Sequence, residues 1–372
     1  MPSYISNFNR QTPKAQWLHI LGLAIFIFVS FVSFMEISLN GKSHSQTITD
    51  SEGKWARQRA LASHLGKHAL ILVGASRFQL DMDLDVLRQS TGLEPVQLAI
   101  TGSPFEPVLA GLAADPTIRG TVLVDYYDHN VGVNDGIGAV YERNYETRRG
   151  AGEIEELLEN ELHEHLLSYH YSGKPLNALR IGIMGQPMVG QNMTVLPDRS
   201  ILADYKSDPN TKYAYYHWII KLLGVDINPK SDGVENILSK KVSLVTPKDN
   251  KEFIKNISAV RTMVSEINSH GGRVIFIKMP SSGMYREFED RRYPRKQFSD
   301  IFSKNVGAKL FQSEDFSTLK NIVCPDGSHL DYRNRSQFTT ALVQTIDLGD
   351  IVRGATGANL ATGGSLTNQY HN

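Results

Sequence analysis

The sequence predicts an α/β domain built around a parallel sheet, preceded by a membrane-spanning helix and interrupted by a mainly helical insertion. Short apolar runs alternate with helical patterns between residues 69 and 126, and the alternation resumes between 251 and 346. A strand–helix–strand succession of this kind indicates parallel strands joined by crossover helices. A third observation, an uncharged apolar stretch over residues 17–35, predicts the membrane helix.

The N-terminal apolar stretch has the features of a membrane anchor. At about 1.5 Å per residue its helix is long enough to cross a hydrocarbon layer of ~30 Å. Arg10 and Lys14 precede it, and no acidic residue occurs in the first 35, so the positive-inside rule places the N-terminus in the cytoplasm. A cleaved signal peptide is the alternative, although its apolar part is usually shorter and ends at a small-residue cleavage site. We therefore predict a single-pass inner-membrane anchor over 17–39, with 1–16 cytoplasmic and the remainder extracytoplasmic or periplasmic.

Beyond the anchor, the chain divides by composition. Residues 40–68 are predicted to form a polar stalk and a leading helix, and 69–350 the α/β domain. An insertion at about 128–250, with a helical pattern at 153–171, carries substrate contacts or a lid, or is a structural addition. The Gly- and Thr-rich segment 351–372 is predicted to be a disordered tail.

The elements of the α/β domain follow from apolar periodicity and boundary residues. The predicted strands are buried apolar runs: Ala69–Val73, Val96–Ile100, Thr121–Tyr126 and Arg273–Lys278. The predicted helices carry apolar residues at helical spacing: Asp81–Gln89, Pro104–Ala114, Lys251–Ser269 and Asn334–Ile346. Their succession requires crossover connections between parallel strands.

Charge and composition exclude several classes of function. Lys plus Arg and Asp plus Glu are both 39, and this balance argues against a nucleic-acid partner, which requires a basic surface. The one cysteine, Cys324, permits no internal disulfide. The histidines of His163-Glu164-His165 lack the H-E-x-x-H spacing of a zinc site, so a solvated helix face is preferred. No metal and no cofactor are predicted.

Two distant segments carry residues suited to acyl transfer. Ser76 lies three residues after Val73, at the carboxyl edge of the predicted sheet, where ligands bind in open parallel sheets. His329 lies in a turn-rich loop before the last helix, with Asp326 at i−3 to hold its distal ring nitrogen. Asp331 is an alternative orienting group, although its position favours a role at the start of the helix.

These segments resemble the SGNH (GDSL-type) hydrolase and acyltransferase superfamily. The nucleophile block is Gly74-Ala75-Ser76, the glycine block is at Gly102, and the last block is Asp326-x-x-His329. The phrases LVGASRFQLDMD, LAITGSPFEPVLAGLAADP and CPDGSHLD are similar to those of membrane-anchored, extracytoplasmic branches linked to exopolysaccharide O-acylation. The resemblance covers about 69–126 and 273–346, and it implies a three-layer, flavodoxin-like α/β/α fold.

The resemblance also implies roles for individual residues. Ser76 would be the nucleophile, His329 the general base and Asp326 its orienting group. The N–H groups of Ser76 and Gly102 would hold the oxyanion.

The third oxyanion donor of the superfamily is an asparagine. The segment Gly132-Val133-Asn134-Asp135 offers Asn134 for this role, with Asn130 as a competitor.

Two departures from the family pattern leave the substrate open. Ala75 replaces an aspartate before the serine, and Arg77 replaces a leucine after it. Arg77 either binds an anionic or sugar-bearing substrate at the mouth of the site or pairs with Asp81 or Asp83 as structure.

The resemblance implies a serine-dependent acyl hydrolase or O-acyltransferase, with acetyl the favoured group, that acts on a cell-envelope or exported polysaccharide. A lipid-directed esterase and a non-catalytic envelope assembly protein that kept the fold are the alternatives. The expected partners are the polysaccharide, the membrane itself and a membrane protein that supplies the acyl donor.

Overall fold

The computed structural model describes residues 16–39, 50–147 and 193–357. The chain divides into two compact units, one comprising 1–47 with 158–189 and the other 48–157 with 190–372. The first unit contributes one described element, helix α1 (Gln16–Leu39). Its segment Gln16–Ile37 is long and apolar enough to cross a membrane, a property that signal sequences share.

A five-stranded parallel sheet forms the centre of the second unit, as the strand–helix alternation predicts. Its strands are β1 (Ala69–Val73), β2 (Glu94–Gln97), β3 (Thr121–Asp125), β6 (Arg273–Lys278) and β7 (Lys309–Gln312). They lie in the order β2-β1-β3-β6-β7, and every neighbouring pair is parallel. With the strands renumbered along the chain, this is the doubly wound order 2-1-3-4-5. In this order, the carboxyl ends of β1 and β3 lie side by side near the topological switch point.

The helices of the second unit are the following: α2 (Glu52–Leu65), α3 (Ser76–Leu80), α4 (Leu84–Thr91), α5 (Glu106–Ala114), α6 (Ile137–Thr147), α7 (Thr211–Leu223), α8 (Val234–Ser243), α9 (Lys251–Ser269), α10 (Gly283–Arg292), α11 (Ser299–Asn305), α12 (Tyr332–Thr345) and α13 (Leu348–Gly357). An antiparallel hairpin, β4 (Met193–Val195) and β5 (Ile201–Ala203), lies within the insertion.

Both faces of the sheet are buried, which explains the continuous apolar runs of its strands. Side chains alternate along β1, so that Ile71 and Val73 point to one face while Leu70 and Leu72 point to the other. The first face packs against α2, α5, α9 and α11. The second packs against α4, α12 and α13. The unit is therefore a three-layer α/β/α structure.

Helix α9 shows how the pattern specifies the packing. Its buried residues are spaced by four and three positions, which places them on one face of the helix: Phe253, Ile257, Val260, Val264 and Ile267. Helix α4 begins at a side-chain cap, because Asp83 accepts the N–H groups of Asp85 and Val86. The apolar spacing of α9 accounts for the agreement of this helix with its predicted bounds.

Several elements differ from the prediction. The helix predicted over 81–89 begins at Leu84 and ends at Thr91, because Asp83 caps its first turn. The short helix α3, which precedes Asp81, was not predicted. The second strand ends at Gln97, although Ile100 N–H still donates to Gly74 O at 2.9 Å. Strand β7 and the β4–β5 hairpin were not predicted.

The predicted disordered tail starts too early. Residues 351–357 belong to α13, because Leu348 and Val352 are buried against the second face of the sheet. The predicted helix at 153–171, with its histidines, lies outside the described residues.

Candidate active site

Ser76 begins α3 at the carboxyl end of β1. Gly74 and Ala75 form the bend between them, and Gly74 has a φ of 145°. A Cβ at position 74 would lie 2.5 Å from Cβ of Asp125, so only glycine allows β1 to pass this close to the end of β3. Ala75 provides no side-chain cap to the first turn of α3. The bend at Gly74 and Ala75 places the hydroxyl of Ser76 at the edge of the sheet, where Ser76 is half-buried.

Ser76, His329 and Asp326 form a continuous series of hydrogen bonds. Ser76 Oγ lies 2.7 Å from His329 Nε2, across 253 residues of sequence. His329 Nδ1 lies 2.7 Å from Asp326 Oδ2. The histidine and aspartate side chains are each 18% exposed, so the series is reachable from solvent. The structure thus brings together the three residues that the motifs single out.

The Asp326 carboxylate is held in one orientation. Its Oδ1 accepts the backbone N–H groups of Ser328 at 2.9 Å and His329 at 2.7 Å, while Oδ2 faces the imidazole. Burial alone would raise the pKa of Asp326. The charge of His329 and these hydrogen bonds lower it by more, so the pKa of Asp326 lies below its ordinary value. An ionised carboxylate then holds a proton on His329 Nδ1 and leaves Nε2 free to accept one from Ser76.

The environment of His329 also increases its basicity. Burial lowers its pKa, but the charge of Asp326 and the hydrogen bond to it raise the pKa by more. The result is a pKa above the ordinary value for histidine, which suits a general base that must carry a proton during a reaction.

The histidine loop is fastened to its neighbours on the insertion and on α10. Gly327 has a φ of 87°, and a Cβ there would lie 2.6 Å from the ring of Tyr215 and 2.8 Å from Cβ of Tyr285. Ser282 N–H donates to Gly327 O at 2.9 Å. The hydroxyl of Tyr215 accepts the N–H of Met284, so α7 braces both segments. The insertion therefore helps to build the site.

Arg77 does not lie at the mouth of the site. Its side chain is 1% exposed, its Nε lies 3.5 Å from Asp125 Oδ1, and its guanidinium stacks over the ring of Tyr127 at 3.4 Å. Of the two alternatives for Arg77, a structural ion pair is therefore the one observed, but its partner is Asp125 rather than Asp81 or Asp83. Asp125 is the last residue of β3, and its pairing with Arg77 could not be assigned from local spacing.

A buried carboxyl thus lies beneath the nucleophile block. Asp125 is fully buried, and burial raises its pKa to about 7 despite the opposing charge of Arg77. A group of this kind costs stability when it ionises without full compensation. Its place at the switch point identifies it as support for the bend that carries Ser76.

Gly102 lies in an exposed turn after β2, with a φ of 73°. The preceding residue, Thr101, donates its hydroxyl to Gln79 Oε1 at 2.8 Å. Gln79 is fully buried on α3, one turn after Ser76. This hydrogen bond ties the Gly102 turn to the helix of the serine.

The network continues through the hairpin and the segment before α2. Gln79 Nε2 donates to Asp50 Oδ2 at 2.9 Å. Arg199 donates to the same carboxylate at 2.6 Å and to Gln97 O at 2.6 Å. Arg199 therefore links the carboxyl end of β2 to Asp50 and, through Asp50, to Gln79.

Asn134 is exposed in the loop between β3 and α6, and Asn130 is half-buried nearer the strand. The loop is anchored at two points. Gly132 N–H donates to Glu106 Oε1. Gly138 N–H donates to Ser103 Oγ at 3.1 Å, next to the Gly102 turn. This anchoring brings the loop of Asn134 to the same edge as Gly102, and the choice between Asn134 and Asn130 stays a prediction.

Sequence reasoning missed Tyr205, which follows the β4–β5 hairpin. Its ring lies parallel to the His329 imidazole, with an interplanar angle of 13° and a centroid separation of 6.4 Å. Burial and the charge of Asp326 raise the pKa of its hydroxyl. Only the tyrosine-rich character of the insertion hinted at such a contact.

Asp331 does not replace Asp326 as the partner of His329. It caps α12 by accepting Arg333 N–H at 3.2 Å, and its Oδ2 accepts Lys206 N–H at 2.9 Å. Cys324 is buried at the base of the histidine loop as a free thiol. Within the described residues, no group of three or more metal-ligating side chains occurs.

This edge of the sheet therefore presents a hydroxyl, an imidazole and a carboxylate in hydrogen-bonded sequence, which is the arrangement that activates a serine for attack on a carbonyl. No protein-family model matches the chain, and no curated protein matches it either.

Proposed function

We propose that this chain is a serine-dependent acyl hydrolase or O-acyltransferase of the SGNH type. The observation that carries the proposal is the series Ser76–His329–Asp326, joined by two contacts of 2.7 Å at the carboxyl edge of the sheet. The strand order 2-1-3-4-5 supports it, because open parallel sheets bind ligands at this edge near the switch point.

In the first half-reaction, Ser76 Oγ attacks the acyl carbonyl while His329 Nε2 takes the hydroxyl proton. Asp326 stabilises the imidazolium that forms. The tetrahedral intermediate then collapses, His329 returns the proton to the leaving oxygen, and an acyl ester remains on Ser76. The raised pKa of His329 favours the first proton transfer.

The oxyanion would be held by backbone donors from two loops. The N–H of Ser76 begins α3, and the Gly102 turn is tied to α3 through Thr101 and Gln79. Asn134 is the candidate side-chain donor. Donors fixed before the reaction stabilise developing charge without reorganisation, which is the usual source of most of the rate enhancement.

In the second half-reaction, a sugar hydroxyl or water is deprotonated by His329 and attacks the acyl ester. The proton on His329 then returns to Ser76 Oγ as the ester bond breaks. Water gives hydrolysis, whereas a carbohydrate hydroxyl gives transfer.

The proposed substrate is a cell-envelope or exported polysaccharide, and acetyl is the proposed group. Helix α1 would anchor the protein in the inner membrane as a single pass, with the N-terminus cytoplasmic and the α/β unit in the periplasm or outside the cell. A membrane protein would supply the acyl donor if the reaction is a transfer.

The non-catalytic alternative has an observation against it. A scaffold that only kept the fold has no requirement for Ser76 and His329 to be in hydrogen-bond contact, yet they lie 2.7 Å apart. It likewise does not require Asp326 to hold the histidine in a single tautomer. We therefore favour the enzymatic function.

The test is hydrolysis of p-nitrophenyl acetate by the full-length protein in detergent. Ser76→Ala is expected to lose at least about 10³-fold in turnover because the nucleophile is removed. Ser336→Ala, an exposed serine of α12, is the control and should retain the wild-type rate. Equal rates in wild type and Ser76→Ala would contradict the proposal.

The substrate class is tested with the same variants. Acetate release from an O-acetylated envelope polysaccharide, or acetyl gain by the deacetylated form in the presence of membranes, is the expected result. Cleavage of phospholipid esters by wild type but not Ser76→Ala, without action on polysaccharide, would instead identify the lipid-directed esterase.

A further inference from the structure

Asp81 links the serine helix to the histidine loop. It directly follows α3 and is fully buried. Its Oδ1 accepts the backbone N–H of Leu330, the residue after His329, at 2.8 Å. The two segments are 249 residues apart in sequence. A single carboxylate therefore sets the distance between the element that carries Ser76 and the loop that carries His329.

The position of Asp81 is itself fixed from two sides. Its backbone N–H donates to Arg77 O at 2.8 Å, which ends α3. Its carbonyl accepts the Thr339 hydroxyl of α12 at 3.4 Å. Its second carboxylate oxygen, Oδ2, is buried and has no hydrogen-bond partner among the described residues. A rigidly held carboxylate with a free oxygen is costly to bury, so a compensating interaction with a positive charge is expected.

The positive charges that act on Asp81 are those of His329 and Arg77. Burial raises the pKa of Asp81 to about 7, and the charge of His329 is the largest influence that opposes this rise. In turn, the charge of Asp81 raises the pKa of His329. The ionisable groups around this pair come from four elements: Asp326 and Cys324 on the histidine loop, Arg77 on α3, Asp125 at the end of β3, and Tyr205 after the hairpin.

We propose that Asp81 is a positioning residue for His329, which holds the histidine loop against the serine helix and stabilises the imidazolium formed when Ser76 loses its proton. Asp326 acts on the imidazole directly, through Nδ1. Asp81 acts indirectly, through its hydrogen bond with the backbone N–H of Leu330 and through the charge of its carboxylate. This inference rests on the proposed function, because the imidazolium is an intermediate of that reaction.

Two substitutions separate the two contributions. Asp81→Asn keeps an oxygen that can accept the Leu330 N–H but removes the charge. Asp81→Leu removes both. Asp83→Asn is the matched control, because it makes the same change two residues after Asp81. The Asp83 side chain caps α4 and contacts Ser336.

The first measurement is the rate at which a fluorophosphonate labels Ser76 in the full-length protein in detergent, followed from pH 5 to pH 9. In Asp81→Asn, the acidic limb of the rate profile should move to lower pH, with the rate at high pH reduced less than about threefold. In Asp81→Leu, the rate at high pH should fall at least about tenfold, because Leu330 N–H loses its acceptor. The control should match the wild-type profile.

The second measurement does not require activity. The ¹³Cε1 signal of His329 is titrated by NMR in the inactive Ser76→Ala background, and His329→Gln identifies the signal. The midpoint should lie at lower pH with Asp81→Asn than without it, and Asp83→Asn should leave it unchanged.

The two measurements distinguish the possible failures. Equal His329 midpoints with and without Asp81→Asn would overturn the role of Asp81, whatever the activity. A wild-type protein that no fluorophosphonate labels would count against the proposed function, while the titration would still decide the role of Asp81. If Asp81→Leu does not fold, Asp81→Asn and the titration remain decisive.

Discussion

The orientation of Asp326 leads to a sharp expectation for Asp326→Asn. In the wild type, Oδ1 accepts two backbone N–H groups and Oδ2 faces His329 Nδ1. An asparagine that keeps the two backbone hydrogen bonds must turn its NH₂ group toward the imidazole. Nδ1 then has to accept rather than donate, so the proton moves to Nε2. A protonated Nε2 cannot take the proton of Ser76.

The magnitude follows from the alternative orientation. If the amide turned over to keep the productive tautomer, its NH₂ would face the N–H groups of Ser328 and His329, and both hydrogen bonds would be lost. A buried N–H group that loses its acceptor costs about 1–3 kcal/mol, so with two such groups this orientation is less stable by about 2–6 kcal/mol. That range corresponds to a rate loss of about 30-fold to 10⁴-fold, and the same change in a serine protease lowers kcat about 10⁴-fold.

The assay is the rate of fluorophosphonate labelling of Ser76, with p-nitrophenyl acetate turnover as a second readout. Circular dichroism and thermal unfolding should show that Asp326→Asn is folded. Asp331→Asn is the control, since it makes the same change at a nearby N-cap, a position that asparagine also suits, and should lower the rate less than about threefold. A rate for Asp326→Asn above about one tenth of wild type would refute the tautomer argument.

Three further outcomes follow from the structure. Labelling of Ser76 should fall as the pH drops through the pKa of His329, with a half-maximal rate above about pH 6.5, because Asp326 raises that pKa against the effect of burial; a lower midpoint would contradict this. Gly327→Ala should slow labelling at least about tenfold and lower the Tm, because its Cβ would collide with the ring of Tyr215. The control Gly233→Ala, also at positive φ but with open space around it, should lower the free energy of unfolding by only about 1 kcal/mol. For Glu106→Gln, the free energy of unfolding relative to wild type should rise by about 3 kcal/mol between pH 4 and pH 8, as measured by chemical unfolding. Burial raises the pKa of Glu106 from 4.5 to about 7, so the folded wild type binds a proton that the unfolded chain has already lost. Wild-type stability therefore falls as the pH rises through this range, whereas glutamine does not titrate. A stability difference that does not vary with pH would contradict this expectation.

The sheet was predictable where its strands are buried on both faces. Ala69–Val73 and Arg273–Lys278 were predicted with their observed bounds because a continuous apolar run is the local mark of a central parallel strand. Strand β7 was missed because it is a four-residue edge strand whose first residue, Lys309, is exposed. The hairpin β4–β5 was missed because each of its strands has only three residues.

The candidate site shows the same division between local and distant information. Asp326 and His329 lie three residues apart, so their contact could be inferred from spacing, and Ser76 could be placed from the end of β1. The partner of Arg77 could not be inferred, because Asp125 ends a different strand, β3, and meets Arg77 only when the sheet assembles. Asp81 was assigned to the acidic start of a helix, whereas folding buries it beside Leu330.

Tyr205 illustrates the limit most clearly. Its ring reaches His329 through a hairpin that is fastened by Arg199, and Arg199 in turn binds Asp50 and the end of β2. No local pattern specifies such a chain of contacts. The insertion was expected to carry substrate contacts or to be a structural addition, and the structure places one of its rings parallel to the imidazole of His329.

The position of a covalent adduct shows directly whether Ser76 is the nucleophile and His329 its base. The full-length protein is treated with a fluorophosphonate near pH 8, digested, and analysed by mass spectrometry, with His329→Gln treated in parallel. We expect one modified residue, Ser76, and a labelling rate at least about 10³-fold lower in the histidine variant. An adduct on another residue, or equal labelling of both proteins, would contradict it.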